Sequence, residues 1–162
     1  MDHSETASRP VLEEDLRAAR ALLDVSRALM GITLRAVAAA PVTLTVPQHR
    51  VLLTIATDGP RRVGALADDL GVNQSNASRI VDRLVGQGLV HRTRDVEDGR
   101  ASLVALTPDG QGVLQAVHQH RLTALLDVVA RIPSGADNLT GALEQLSAAI
   151  DAPPDGGDPR LR

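Results

Sequence analysis

Two short apolar-spaced runs hinged on a glycine, followed at once by two strand-like runs, restrict this chain more than any other stretch. Between Val63 and Leu106, the residues Leu66, Ala67, Leu70, Val72, Ala77 and Ile80 recur at spacings that fit two short helices packed at an angle. Gly71 falls at the bend, where positive φ is needed and a residue without a Cβ adopts it freely. Ala67 is small, and at that place a small side chain lets the second helix cross closely over the first. The spacing predicts a helix-turn-helix, the arrangement whose second helix lies in a DNA major groove.

That second helix is expected over 73–86, and it has two faces. Ala77, Ile80, Val81 and Leu84 recur at i, i+3, i+4 and i+7 and turn to the core. Asn73, Gln74, Ser75, Asn76, Ser78, Arg79 and Arg83 occupy the amino end and the remaining surface, and are the candidate DNA contacts. Asn and Gln pair with adenine edges, and Arg pairs with guanine or phosphate. Asn73 can also cap the helix by accepting a backbone N–H. Alone, such a face also fits an ordinary solvated helix. The bend before it and the ribbon after it favour base reading.

Gly86-Gln87-Gly88 ends the helix. Leu89 to Arg94 has strand character, Ala101 to Leu106 is its partner, and Asp95 to Arg100 forms a polar tip containing Gly99. A two-stranded ribbon with arginine at its tip can reach the minor groove, where negative potential is enhanced, so Arg94 and Arg100 join the candidate contacts. Asp95 and Asp98 repel phosphate. They are read as orienting the wing, holding the Arg100 guanidinium by paired hydrogen bonds, with a plain acidic turn as the alternative.

The run Gly88-Leu89-Val90-His91-Arg92, then Asp95-x-x-Asp98-x-Arg100, then Leu106-Thr107-Pro108-x-Gly110, with Leu44-Thr45-x-x-Gln48 ahead of them, resembles the MarR family of bacterial winged helix-turn-helix regulators. The likeness extends in order and spacing over residues 11–150. It implies an obligate homodimer that binds palindromic duplex DNA, usually as a repressor released by a small molecule. In that family the effector lies between the dimer helices and the winged lobe. His49 and Arg50 stand near that junction and fit either an anionic ligand or a salt-bridged surface, so the effector-binding residues stay unassigned. One departure is Gly99, a place that is often basic in the family, so the wing tip lacks a positive charge.

Charge needs sorting by region. The net charge is −3, and residues 58–106 hold seven arginines against seven acids. DNA affinity must then come from the placement of arginine and not from bulk charge. This neutrality also motivates a rival reading, a winged-helix protein-interaction module without DNA binding. All 17 basic residues are arginine, which suits bidentate phosphate and guanine contacts. The absence of Cys excludes disulfides, thiolate metal sites and thiol-based sensing. Phe, Tyr and Trp are absent too, and single-strand binders usually stack bases on such rings at roughly 1–3 kcal/mol each. That favours duplex DNA and makes any effector pocket aliphatic and polar. His118 and His120, two apart on a helix, point to different sides and do not chelate one metal. Neither a metal nor a cofactor is expected. No nucleophile or dinucleotide signature appears, so no enzyme activity is expected. No apolar run reaches the roughly 18 residues of a membrane span, and the amino end is polar and acidic, unlike a signal peptide. A cytoplasmic protein is the expectation.

The rest of the chain reads as helices. Leu12, Leu16, Ala19, Leu23, Met30, Leu34 and Val37 follow a helical repeat, with Glu13, Glu14 and Asp15 at its start suiting the helix dipole. Thr45-Val46-Pro47-Gln48 is a helix start, Asp58-Gly59-Pro60 a stop, and Arg61-Arg62-Val63 a candidate third strand. Thr107-Pro108 opens another long helix, Pro133-Ser134-Gly135 breaks it, and 136–150 form the last. The expected class is mainly α with a small β wing, a winged helix-turn-helix with long amino- and carboxy-terminal dimerisation helices. The expected segments are disordered tails at 1–10 and 151–162, a helical dimerisation region at 11–40 and 107–150, and a winged DNA-binding region at 41–106. The first and last two helices carry more apolar surface than a small winged lobe covers. They form either a wider monomer core or an obligate dimer interface of roughly 2,000–5,000 Å². A two-fold dimer would set its recognition helices about 34–36 Å apart and read a palindrome.

Overall fold

A computed structural model describes residues 12–94, 102–133 and 136–152. In chain order these form α1 (Glu13–Ala38), α2 (Val46–Asp58), β1 (Arg61–Arg62), α3 (Val63–Leu70), α4 (Gln74–Gly86), β2 (Val90–Arg94), β3 (Ser102–Leu106), α5 (Pro108–Val129) and α6 (Ala136–Asp151). The described strands make one antiparallel sheet in the order β1-β3-β2. Val104 stands opposite both Arg61 and Arg92 and is fully buried, so the middle strand supplies the sheet's apolar anchor.

The element ends follow from local chemistry. The Leu12 N–H donates to the Asp15 carboxylate at 3.1 Å, and three acids occupy the first turn of α1. At α2 the Thr45 N–H donates to Gln48 Oε1 at 2.8 Å and Thr45 Oγ1 accepts from the Gln48 N–H at 3.4 Å. Together they satisfy donors the helix cannot pair itself. Gly71 ends α3 at φ 66°, ψ 35°, the left-handed conformation the bend requires. Helix α4 begins at Gln74, one residue later than the sequence suggests, because Asn73 stays extended and caps it. Thr107 Oγ1 accepts from the Gly110 N–H at 3.0 Å and donates to the Gly88 carbonyl at 2.6 Å, starting α5 against the turn that follows α4.

The core of the winged lobe joins Val51, Leu52 and Ile55 of α2 with Leu66, Val81, Leu84, Leu89, Val90 and Val104. Fully burying each leucine contributes about 1.5–3 kcal/mol. Ala36 and Val37 at the end of α1, and Val113 and Val117 near the start of α5, belong to the same core. The long helices thus complete the winged lobe with one end.

The described chain divides into two compact units, the first ending at Arg121 and the second starting at Leu122. In the first, most of α1 is uncovered: Leu16, Leu23 and Met30 are exposed, Leu23 to 65%. In the second, Leu126, Leu143 and Ile150 are exposed. No described helix is long and apolar enough to cross a membrane.

Candidate nucleic-acid interface

Helix α4 is pinned by one side. Ala77, Val81 and Leu84 are wholly buried, and Ile80 packs partly buried against the same core. The opposite side carries Asn76, Arg79 and Arg83, and Gln74 stands at the amino end, all exposed, while Ser78 is half-buried. Asn73 and Ser75 are exposed but engaged. Asn73 Oδ1 accepts from the Asn76 N–H at 2.9 Å and from Ser75 Oγ at 2.7 Å. Both side chains therefore build the helix start, where backbone N–H groups and the positive end of the dipole point outward.

Two hollows flank this helix. One, of about 420 Å³, has a floor of Val46, Pro47, Leu70, Val72 and Ile80 and a rim of Arg50, Asn76, Arg79 and Arg83. Arg50 donates to the Asp69 carbonyl at 2.8 Å, setting a cation against the negative end of α3. The other, of about 620 Å³, is lined by Arg62, the first turn of α3, Asp68, Gln74, Ser78, Arg92 and Ser102. Arg92 donates to Asp82 at 2.7 Å and so ties β2 to α4. Arg61 is held by the Asp58 carboxylate, and that hydrogen bond keeps its guanidinium pKa above the ordinary value.

Arg50, Arg62 and Arg92 line these hollows but stand outside the contact set expected from the sequence, whose arginines ahead of the wing are Arg79 and Arg83. The Arg61-Arg62 pair is the available signal, but it is the folded sheet, with β3 between their strands, that puts Arg62 and Arg92 on the lining of one hollow. Arg94 is exposed at the end of β2, opposite Ser102. Arg100, Asp95 and Asp98 lie outside the described residues, and with them the expected carboxylate clamp on the wing tip.

A third hollow, of about 380 Å³, lies between α2 and α5 and is lined by His49, Leu53, Ala56, Gln111, Leu114, Gln115, Val117, His118 and Arg121. His49 is buried, and burial first, then the Arg121 charge, lowers its pKa below the ordinary imidazole value. The Nε of Arg121 is buried without a hydrogen-bond partner among the described residues. His49 and its neighbour Arg50 thus line different hollows, one against α5 and one beside α4.

The sequence profile of the MarR family matches residues 44–102. The HTH-type transcriptional regulator Mb0904 of Mycobacterium bovis is 30% identical over 115 residues, covering 70% of this chain and 79% of that protein. The multiple antibiotic resistance protein MarR of Salmonella typhimurium is 34% identical over 79 residues, 49% of this chain and 55% of that one. The chain spans about half the length of that relative, and likewise 48% of the HTH-type regulator YfiV of Bacillus subtilis. Among solved structures, that of RV1404 from Mycobacterium tuberculosis superposes with a TM-score of 0.75 at 34% identity, covering 89% of this chain and 98% of that one.

Proposed function

The chain belongs to the MarR family of transcriptional regulators, and from that membership we propose that it acts as a homodimer on a palindromic duplex operator, as a repressor released by a small molecule. The observation that carries this reading is helix α4, buried along one side and presenting Asn76, Arg79 and Arg83 along the other, with Gln74 exposed at its amino end. Gln74 and Asn76 suit adenine, and Arg79 and Arg83 suit guanine or phosphate. Asn73 and Ser75 hold the helix start against the duplex, and Ser78 faces the cleft that holds Arg62 and Arg92. Arg94 and Arg100 serve the minor groove, with Asp95 and Asp98 aiming the latter. Arginine-rimmed hollows on both sides of α4 support the passage of phosphate strands there.

The uncovered apolar side chains of α1 support a second copy as their cover, since a lone chain would carry them at a solvation cost. The hollow between α2 and α5 supports the small-molecule response. A regulator of this kind works in the cytoplasm, where its operator is.

Selection of bound duplexes from a random pool tests the reading. The expected consensus is an inverted repeat with half-sites about 10–10.5 base pairs apart. Failure to enrich any duplex at low salt would overturn it and leave a winged-helix protein-interaction module.

A further inference from the structure

The far end of the recognition helix is held by a side-chain bridge that nothing in its own segment requires. Gln87, the residue that terminates α4, donates through Nε2 to the Thr43 carbonyl at 2.8 Å, and its Oε1 accepts from Gln48 Nε2 at 3.2 Å. Gln48 is 5% exposed, and its other polar atom, Oε1, accepts from the Thr45 N–H at 2.8 Å. Capping α2 uses only Oε1. The carboxamide nitrogen is directed instead at a residue 39 positions away, the one that caps the end of α4.

We propose that Gln48 and Gln87 are positioning residues: the Thr43–Gln87–Gln48 bridge sets the angle of α4 and thereby the sequence specificity of the protein. This rests on the DNA-binding reading above. Core packing of Leu84 and Leu89, and the Thr107 hydroxyl on the Gly88 carbonyl, fix where α4 ends, and the Gln87 bridge links that end to the chain leading into α2. Leverage makes the anchor matter. The 13 residues of α4 span about 20 Å at 1.5 Å per residue, so a tilt of about 5° at the anchored end moves Gln74 by about 1.7 Å and Asn76 by about 1.4 Å. Hydrogen bonds to base edges tolerate roughly 0.5 Å. Phosphate contacts are less exacting, since a charge interaction falls off gradually with distance. Loosening the bridge should therefore cost discrimination before it costs general affinity.

The test uses the full chain and the duplex it selects from a random pool, against a scrambled duplex of equal length. Gln87→Met keeps the length and apolar stem of the side chain and removes both hydrogen bonds. Its ratio of selected to scrambled affinity should fall at least tenfold with the salt dependence on either duplex unchanged, and the melting temperature should fall as well, because the buried Gln48 Nε2 is left unpaired. Gln87→Glu still accepts from Gln48 but sets a carboxylate oxygen against the Thr43 carbonyl, so it should not recover the ratio. Gln48→Met also weakens the α2 cap and lowers stability. Added to Gln87→Met, it should change the ratio no further. A merely structural pair would shift melting and leave the ratio alone, and that result overturns the proposal. If the unmodified protein enriches no duplex, the DNA-binding reading has failed by itself. Hydrogen exchange at the amides of 83–88 then judges the anchor, and equal rates in wild type and Gln87→Met would overturn it as well.

Discussion

The sharpest stability prediction concerns Gly110, in the first turn of α5. A Cβ built there stands 2.0 Å from the Leu89 carbonyl oxygen, 3.0 Å from its carbon and 3.1 Å from Leu106 Cδ2. An ordinary carbon–oxygen contact needs about 3.2 Å, so Gly110→Ala must push the two backbones apart by about 1.2 Å. The same carbonyl accepts from the Thr107 N–H at 3.1 Å, and Thr107 Oγ1 donates to the Gly88 carbonyl at 2.6 Å. Separation strains both bonds. Overpacking costs about 1–3 kcal/mol, and a weakened hydrogen bond about 0.5–1.5 kcal/mol. Alanine's better helix propensity offsets at most about 1 kcal/mol. The net is a destabilisation of about 2 kcal/mol, or a fall in Tm of about 4–8 °C for a chain of this size. Thermal circular dichroism at fixed protein concentration reads it. Gly112→Ala, two residues on in the same helix with nothing within 4 Å of its Cβ, is the control and should stabilise by up to about 1 kcal/mol. A Gly110→Ala variant that melts at or above the wild-type temperature would refute the close approach of α5 to Leu89.

Other expectations follow from single contacts. Arg79→Ala and Arg83→Ala should each weaken operator binding. A lost base contact costs about 1–3 kcal/mol and relaxes one position of the site, whereas a lost phosphate contact lowers the salt slope by about 1, and normal binding by both variants would reject that face of α4. Asn73→Ala removes the cap that accepts from the Asn76 N–H and should cost about 1 kcal/mol in urea denaturation; an unshifted midpoint would mean the cap contributes nothing. His49 has a lowered pKa in the folded state, so the unfolded chain binds its proton more tightly and stability should fall as pH drops through the ordinary imidazole range, near 6.5. His49→Gln should flatten that slope between pH 7.5 and 5.5, and identical slopes in the two proteins would exclude His49 as the cause.

Features that depend on neighbours in sequence were legible before any coordinates. The Thr45–Gln48 cap, the left-handed Gly71 and the two-sided α4 each rest on three to fourteen consecutive residues, and the pattern states them directly. Asn73 was only half legible, because one carboxamide can cap a helix or read a base, and only geometry shows its oxygen engaged by Asn76 and Ser75. What periodicity could not convey was which surface covers which. The repeat in α1 announces an apolar face, yet only Ile32, Ala36 and Val37 of that helix are buried in the chain itself. Charge shows the same limit most clearly. Seven arginines against seven acids in residues 58–106 sum to nothing, and a sum cannot show direction. In space, Asp58 faces Arg61 and Asp82 faces Arg92, so part of the acid charge is compensated inside the lobe. Arg79 and Arg83 meanwhile rim the groove along α4. Each pair cancels one arginine against one acid, so a duplex against α4 is expected to meet Arg79 and Arg83 as individual cations and not a basic field. Because few phosphates are engaged that way, the salt slope of binding should be shallow, about 0.9 per phosphate neutralised.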